Sequence, residues 1–388
     1  MNQTALINGK VLAPAGLRED LVVVLEGDRI MALCNRVPAG AKISDLGGAL
    51  LLPGFIDVQV NGGGGRLFND DPSVETIACI AAAHRSFGTT GLLPTLISDD
   101  LSVVERGIRA VDHAIEVGVP GVLGIHIEGP FLSPKRNGIH LTEKLQPLTD
   151  EFLALLASAR NGRTMVTLAP ECASPQQISW LNRAGVRVSL GHSDAEYAVA
   201  RAALDAGATG FTHLFNAMSQ LANRAPGMVG AALESETAYA GIIVDGQHLH
   251  PATVRIALRA TGPDRLMLVS DAMPTVGSDI KSFELQGRKI LLQEDRLTDE
   301  AGTLAGSVLT MARAVRTLME QTGVSLQRAV AMATRVPAAF LGLDHELGTI
   351  APGMRANLIA LDRDFTTNAC WISGVPTELG AVRETTTR

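Results

Sequence analysis

One carboxylate and two imidazoles are placed to share a single metal ion: Glu128 in His-Ile-Glu-Gly-Pro, His192 in Leu-Gly-His-Ser and His213 in Thr-His-Leu-Phe-Asn-Ala-Met. Each closes a short apolar run, and glycine or small residues beside it leave room for a ligand. A Glu/His/His set suits Zn2+ or Fe2+ and keeps one coordination position open for water, as a catalytic centre requires. A single histidine in such a place is more often a satisfied core or loop residue. Three donors closing three separate runs weigh against that reading.

Asp271 ends a fourth run, Leu-Val-Ser-Asp-Ala, where an ionised carboxylate is costly to bury without a partner or a task. Its expected role is general base. The metal lowers the pKa of its water to about 7, the carboxylate takes the proton as that water attacks an amide carbonyl, and the same acid then protonates the departing amine. The structural alternative is an N-cap for a helix beginning at Ala272.

Strand ends are where one architecture keeps its chemistry. From Phe55 onward, strand-like runs alternate with segments of helical period: Phe55 to Val60, Gly91 to Pro94, Val122 to Glu128, Met165 to Ala169, Arg187 to His192, Gly210 to Leu214, Ala240 to Asp245 and Leu266 to Asp271. Eight such units predict a (β/α)8 TIM barrel, with active residues at the C-terminal ends of the strands. Between them, Val74 to Ser86, Leu101 to Val117, Asp150 to Ala159, Pro175 to Ala184 and Ala195 to Ala206 read as helices, with Gly88, Gly118, Gly185 and Gly207 just past four of them as C-cap signals. Residues 283 to 297 read as a hairpin inserted after the eighth strand.

Both ends carry short β-like runs, such as Leu21 to Leu25 and Asn357 to Leu361. They predict a small β-sandwich domain assembled from residues 1–52 and 346–388 beside a barrel of residues 53–345. The run Gly62 to Gly65 lacks the Lys-Ser/Thr of a P-loop and the spacing of a dinucleotide fingerprint, and reads as a tight turn. His84, His113, His250 and His345 fall away from the proposed cluster, whereas His126 lies two residues before Glu128 on the same strand face and is a candidate for supporting it.

The 388 residues are 46% hydrophobic and 19% charged, which describes a compact globular chain. With 33 Lys and Arg against 40 Asp and Glu, a net charge of −7 argues against a nucleic-acid surface but leaves room for a small anionic ligand. No segment is long and apolar enough to span a bilayer, and the first residues lack the pattern of a secretory signal. The four dispersed cysteines contain no Cys-x-x-Cys pair. A cytoplasmic location without membrane or nucleic-acid partners is expected.

The chain resembles the amidohydrolase superfamily and, within it, the N-acetylglucosamine-6-phosphate deacetylases. Stretches in order along nearly the whole chain carry the likeness: Leu52-Pro-Gly-Phe-Ile-Asp-Val-Gln-Val-Asn61-Gly, His126 to Pro130, Leu168 to Glu171, Gly191 to Ser193, Thr212 to Met218, Asp245 to His248, Ser270 to Ala272, Gly302 to Ser307 and Leu347 to Leu358. Many superfamily members close the first strand with His-x-His and bridge two metals with a carboxylated lysine. Here Gln59-Val60-Asn61 and Ala169-Pro170-Glu171 stand at those places. The resemblance therefore implies one divalent ion per subunit, Zn2+ ahead of Fe2+, and argues against dihydroorotase or hydantoinase chemistry.

The same resemblance implies further roles. His140, in a loop that otherwise reads as exposed, would polarise the acetamide carbonyl and stabilise the tetrahedral oxyanion, with Ile139 beside it against the substrate. Asn216, Ala217, His248 and Arg224 would hold the phosphate, Arg224 reaching in from the neighbouring subunit of a homodimer. Leu304, Ala305 and Gly306 would meet the sugar, and Ala305 replaces a serine common in the family. The implied reaction is deacetylation of N-acetylglucosamine 6-phosphate. Its alternatives are the same reaction on N-acetylgalactosamine 6-phosphate and, from another class, a sugar-phosphate-binding barrel without catalysis.

Overall fold

The computed structural model describes residues 3–262 and 264–377. Eight strands form one parallel sheet in sequence order: β1 (Phe55–Val60), β2 (Thr89–Ile97), β3 (Gly124–Glu128), β4 (Arg163–Leu168), β5 (Arg187–Leu190), β6 (Gly210–Phe211), β7 (Tyr239–Ile242) and β8 (Leu266–Leu268). The ends of the sheet meet just beyond β8. Asp271 N donates to the Gln59 carbonyl at 3.0 Å, Asn61 N donates to the Ala272 carbonyl at 2.9 Å, and Val60 and Ala272 form a parallel bridge. The predicted TIM barrel is therefore the observed one.

Parallel strands covered by helices are buried on both faces, so they read as near-continuous apolar runs. Every residue of β1, β2 and β3 is buried. The helix Leu101–Glu116 shows the complementary pattern, burying Val104, Ile108 and Val111 along one stripe. Gly88, Gly118, Gly185 and Gly207 take φ of +87°, +78°, +86° and +111°, which lets each helix reverse into the next strand. Ser174 and Gln177 close a reciprocal capping box at the start of Pro175–Arg183.

Several elements differ from expectation. The second strand is longer, nine residues, because its flanking Thr89, Thr90, Thr95 and Ile97 also suit a pleated, buried environment. The sixth covers only Gly210–Phe211, since the chain turns sharply at His213. The inserted hairpin is a three-stranded antiparallel sheet of Ser282–Leu285, Arg288–Gln293 and Arg296–Thr298. No helix begins at Ala272, which removes the N-cap alternative for Asp271; the next helix is Met311–Thr322.

Residues near both termini form two further sheets. One contains Gln3–Ile7, Val22–Glu26, Arg29–Cys34 and Lys42–Asp45; the other joins Lys10–Ala13, Gly16–Arg18 and Leu50–Pro53 to Leu358–Leu361, Thr367–Ile372 and Val375–Thr377. A separate core that includes Leu6, Val23, Ile30, Leu51, Leu358 and Trp371 lies between them. Residues 1–2 and 378–388 of the expected β domain lie outside the described residues. Among the described residues, no helix is long and apolar enough to cross a membrane.

Candidate active site

Glu128, His192 and His213 converge. Nε2 of His213 lies 2.9 Å from Nε2 of His192 and 3.0 Å from Oε1 of Glu128, and His192 Nε2 is 3.4 Å from the same oxygen. Donors held at about 2.1 Å around one tetrahedral ion stand about 3.4 Å apart, so these edges fall at or slightly under the spacing of a shared ion. His192 Nδ1 lies 2.9 Å from the Arg136 carbonyl, which can only accept. The ring hydrogen therefore sits on Nδ1, and Nε2 presents a lone pair to the cluster, the tautomer a metal needs. Burial pushes the Glu128 carboxyl up, but the His192 and His213 imidazoles beside it outweigh that effect and hold the group well below its ordinary range. Against the downward pull of burial, Glu128 in turn raises His213.

Asp271 is tied to this cluster through one amide and held by a second. Gln59 Nε2 donates to Glu128 at 3.2 and 3.1 Å and to Asp271 Oδ1 at 3.1 Å, while Asn61 Nδ2 donates to the same Asp271 oxygen at 2.6 Å. Among the described residues nothing hydrogen-bonds Oδ2, which stays available for a proton. Burial and then the Glu128 charge raise the Asp271 carboxyl above its ordinary value. Asp57, Gln59 and Asn61 alternate along one face of the first barrel strand. Asp57 accepts from the backbone N–H groups of Gln59 and Ser270, each at 3.2 Å, and burial pushes its carboxyl up to about 7.

Three of these residues carry backbone strain. His192, His213 and Asp271 take φ of +47°, +30° and +53°, and Phe215 and Ala217 follow with +78° and +49°. Non-glycine residues in that region cost on the order of 1–3 kcal/mol each and persist where the surrounding structure imposes them, most often at functional sites.

His140 is buried, contrary to the exposed loop its neighbours suggest. Its ring centroid is 4.5 Å from that of His192. Both the backbone N–H of Ser98, at 3.2 Å, and the Ser98 hydroxyl, at 2.7 Å, reach His140 Nδ1. A backbone N–H only donates, so Nδ1 is the acceptor and the ring hydrogen sits on Nε2. Burial, then the neighbouring His192, pushes the imidazole down to about 3, leaving a neutral ring with one N–H to give. Glu128, His140 and His192 also offer ligand atoms within 4.8 Å of one another. Ligation by His140 Nε2 would move its hydrogen to Nδ1 and leave the Ser98 N–H without its acceptor.

The outer residues are grouped less tightly. Asp245 Oδ2 accepts from His248 Nδ1 at 2.7 Å and fixes that ring. Asn216 and Ala217 form the strained turn after His213, with the Ala217 carbonyl accepting from Ser193 N at 3.0 Å. Gly306 packs on Asp271, where a Cβ would stand 2.7 Å from the Asp271 carbonyl oxygen, and Ser307 N donates to that oxygen at 2.8 Å. Ala305 is buried and Leu304 partly so. The Ile139 carbonyl accepts from Arg288 at 3.2 Å. Arg224 lies in the exposed stretch 220–225 and makes no hydrogen bond or ion pair with the cluster among the described residues.

His126 sits below the site in a buried polar chain, bonded to Thr95 at 3.2 Å and Thr167 at 2.7 Å, and makes no hydrogen bond to Glu128. His84 is buried against the Gly62 carbonyl and His250 caps a helix. Sequence reasoning missed Ser98, whose backbone N–H and hydroxyl both hold His140, and Arg136, which acts through its carbonyl and leaves no side-chain signal. It also missed Glu171, whose carboxylate accepts from Ser193 Oγ at 2.6 Å and Asp194 N at 2.8 Å beside His192.

Comparison with known proteins gives this arrangement a setting. Over 369 residues, 94% of this chain and 93% of the relative, the sequence is 44% identical to the N-acetylgalactosamine-6-phosphate deacetylase of Shewanella sp. (strain ANA-3). It is 35% identical over 375 residues, 95% of this chain and 98% of the relative, to the N-acetylglucosamine-6-phosphate deacetylase of Haemophilus influenzae. The crystal structure of N-acetylglucosamine-6-phosphate deacetylase from Pasteurella multocida superimposes with a TM-score of 0.94 at 35% identity, covering 97% of this chain and 99% of that one. The profile of the Amidohydrolase family matches residues 50–377, and the chain belongs to that family.

Proposed function

We propose that this protein hydrolyses the acetamide of N-acetylglucosamine 6-phosphate, giving glucosamine 6-phosphate and acetate. The observation that carries the reading is the coupling of Asp271 to the Glu128, His192 and His213 cluster through Gln59. Glu128, His192 and His213 would hold one divalent ion, Zn2+ in preference to Fe2+. When bound there, the ion supplies a water of lowered pKa and draws electron density from the carbonyl. Gln59 and Asn61 turn their NH2 groups, which do not ligate metals, toward Glu128 and Asp271, which supports a single-ion centre.

Asp271 takes a proton from the attacking water on its unbonded oxygen and returns it to the amine nitrogen as the C–N bond breaks. His140 donates its Nε2–H to the carbonyl oxygen as charge develops there. Asn216, Ala217 and His248 would bind the phosphate, joined by Arg224 from the neighbouring subunit of a homodimer; its exposure and its lack of a hydrogen-bond or ion-pair partner among the described residues support that reach. Ile139 and the Leu304, Ala305 and Gly306 segment would line the sugar. The division into a β domain of residues 1–52 and 346–388 and a barrel of 53–345 belongs to the same proposal. Four unpaired cysteines, Cys34, Cys79, Cys172 and Cys370, are compatible with a reducing cytoplasm.

The 44% identity to an N-acetylgalactosamine-6-phosphate deacetylase favours the C4 epimer as a second reading. Acetate release measured side by side on the two epimers tests both. A higher kcat/KM on the gluco substrate supports the first reading, a higher value on the galacto substrate supports the second, and no release from either by metal-loaded protein contradicts both.

A further inference from the structure

His140 stands in a stretch without long regular elements: between β3 and the helix Asp150–Leu156, only the short turns Pro134–Arg136 and Thr142–Lys144 are helical. A donor that must meet a developing charge within a fraction of an ångström needs a firmer anchor than its own loop. We propose that the three-stranded sheet inserted after β8 provides it, with Gln286 and Arg288 as positioning residues for His140.

The geometry is a two-point clamp. Gln286 Nε2 donates to the Ser98 carbonyl at 2.8 Å and to Asp99 Oδ2 at 3.3 Å, while Arg288 donates to the Ile139 carbonyl at 3.2 Å. Ser98 is the residue whose N–H and hydroxyl both bond His140 Nδ1, and Ile139 precedes His140 in the chain. One side chain thus holds the partner of the ring, and the other holds the backbone that carries it. The two are presented from a tight turn in which Gln286 and Gly287 take φ of +49° and +82° and Leu285 pairs with Arg288. Two consecutive positive φ values match the strand twist and make a rigid hairpin end. Ile97, Ile139, Leu285 and Ile290 share a small apolar core under the turn, so the clamp is packed as well as hydrogen-bonded.

The inference rests on the deacetylase reading, and its test separates the two. Parent protein, Gln286→Ala, Arg288→Ala and Arg288→Lys are each loaded with metal and assayed on both sugar phosphates, with thermal unfolding as a check of folding. For each alanine variant the expected result is a fall in kcat of about tenfold or more with KM changed by less than about threefold, because substrate binding is kept and donor placement is lost. Arg288→Lys keeps a donor for the Ile139 carbonyl and should recover most of the lost kcat. Selective 15N labelling of histidine should show one Nε2–H tautomer for His140 in the parent and a broadened or mixed signal in the alanine variants. Folded alanine variants with parent kcat, or with unchanged His140 ring signals, overturn the clamp. A parent that turns over neither epimer overturns the function beneath it.

Discussion

Asn61 Nδ2 lies 2.6 Å from Oδ1 of Asp271, so the oxygen that acts on substrate is chosen by a residue on the opposite edge of the barrel seam. With Gln59 donating to the same oxygen at 3.1 Å, Oδ1 is committed and Oδ2 is left for the proton. Asp271→Asn keeps the shape and removes the base. It should lower kcat by about 10²–10⁴-fold while metal content stays at the parent level. Parent-like turnover would remove Asp271 from the mechanism.

Asn61→Ala leaves the base present but less constrained. A fall in kcat of about tenfold, with KM little changed, is expected in a steady-state assay. If KM rises while kcat holds, Asn61 binds substrate instead of orienting Asp271.

Gly306 touches the same residue from another side. Its φ of +62° and the 2.7 Å approach of a Cβ to the Asp271 carbonyl oxygen leave no room for alanine. Gly306→Ala should cost about 1–3 kcal/mol in denaturant unfolding and slow turnover together, because the Asp271 backbone must shift.

Asp57 sets a pH dependence of stability. Its folded pKa of about 7 lies above its ordinary 3.8, so the folded state holds a proton that the unfolded chain releases. Its contribution is fully present below pH 4 and is lost as pH rises through 7. In Asp57→Asn that loss is absent, while buried His84 and His126, both lowered to about 4 by burial, titrate identically in the two proteins. The stability of the variant relative to the parent should therefore rise by about 4 kcal/mol between pH 4 and pH 7.5, as read from denaturant midpoints. A difference independent of pH would show that Asp57 is ionised in the folded protein.

The barrel was legible because parallel strands under helices must be apolar throughout, and Glu128, His192, His213 and Asp271 break that rule at strand ends. Less was legible where backbone atoms do the work. Ser98 orients His140 partly through a peptide N–H, and Arg136 orients His192 through a carbonyl, so neither side chain announces the role. His140 itself sits among Pro, Lys, Arg and Asn, and local polarity suggested exposure; the fold of that loop onto Ser98 buries it. The third strand of the inserted sheet is short and has a single apolar residue, Leu297 in Arg296–Thr298, too brief for an alternating pattern to declare itself.

Which side chains take the ion decides the rest of the chemistry. Two sets share Glu128 and His192 and differ in the third donor: His213, whose Nε2 lies 2.9 Å from His192 Nε2, or His140. Metal content of the parent, His213→Ala and His140→Ala, measured by plasma emission after loading with Zn2+ and exhaustive dialysis, decides between them. About one equivalent is expected in the parent, with near-parent content in His140→Ala and loss in His213→Ala. Retention in His213→Ala with loss in His140→Ala would instead assign the third ligand to His140.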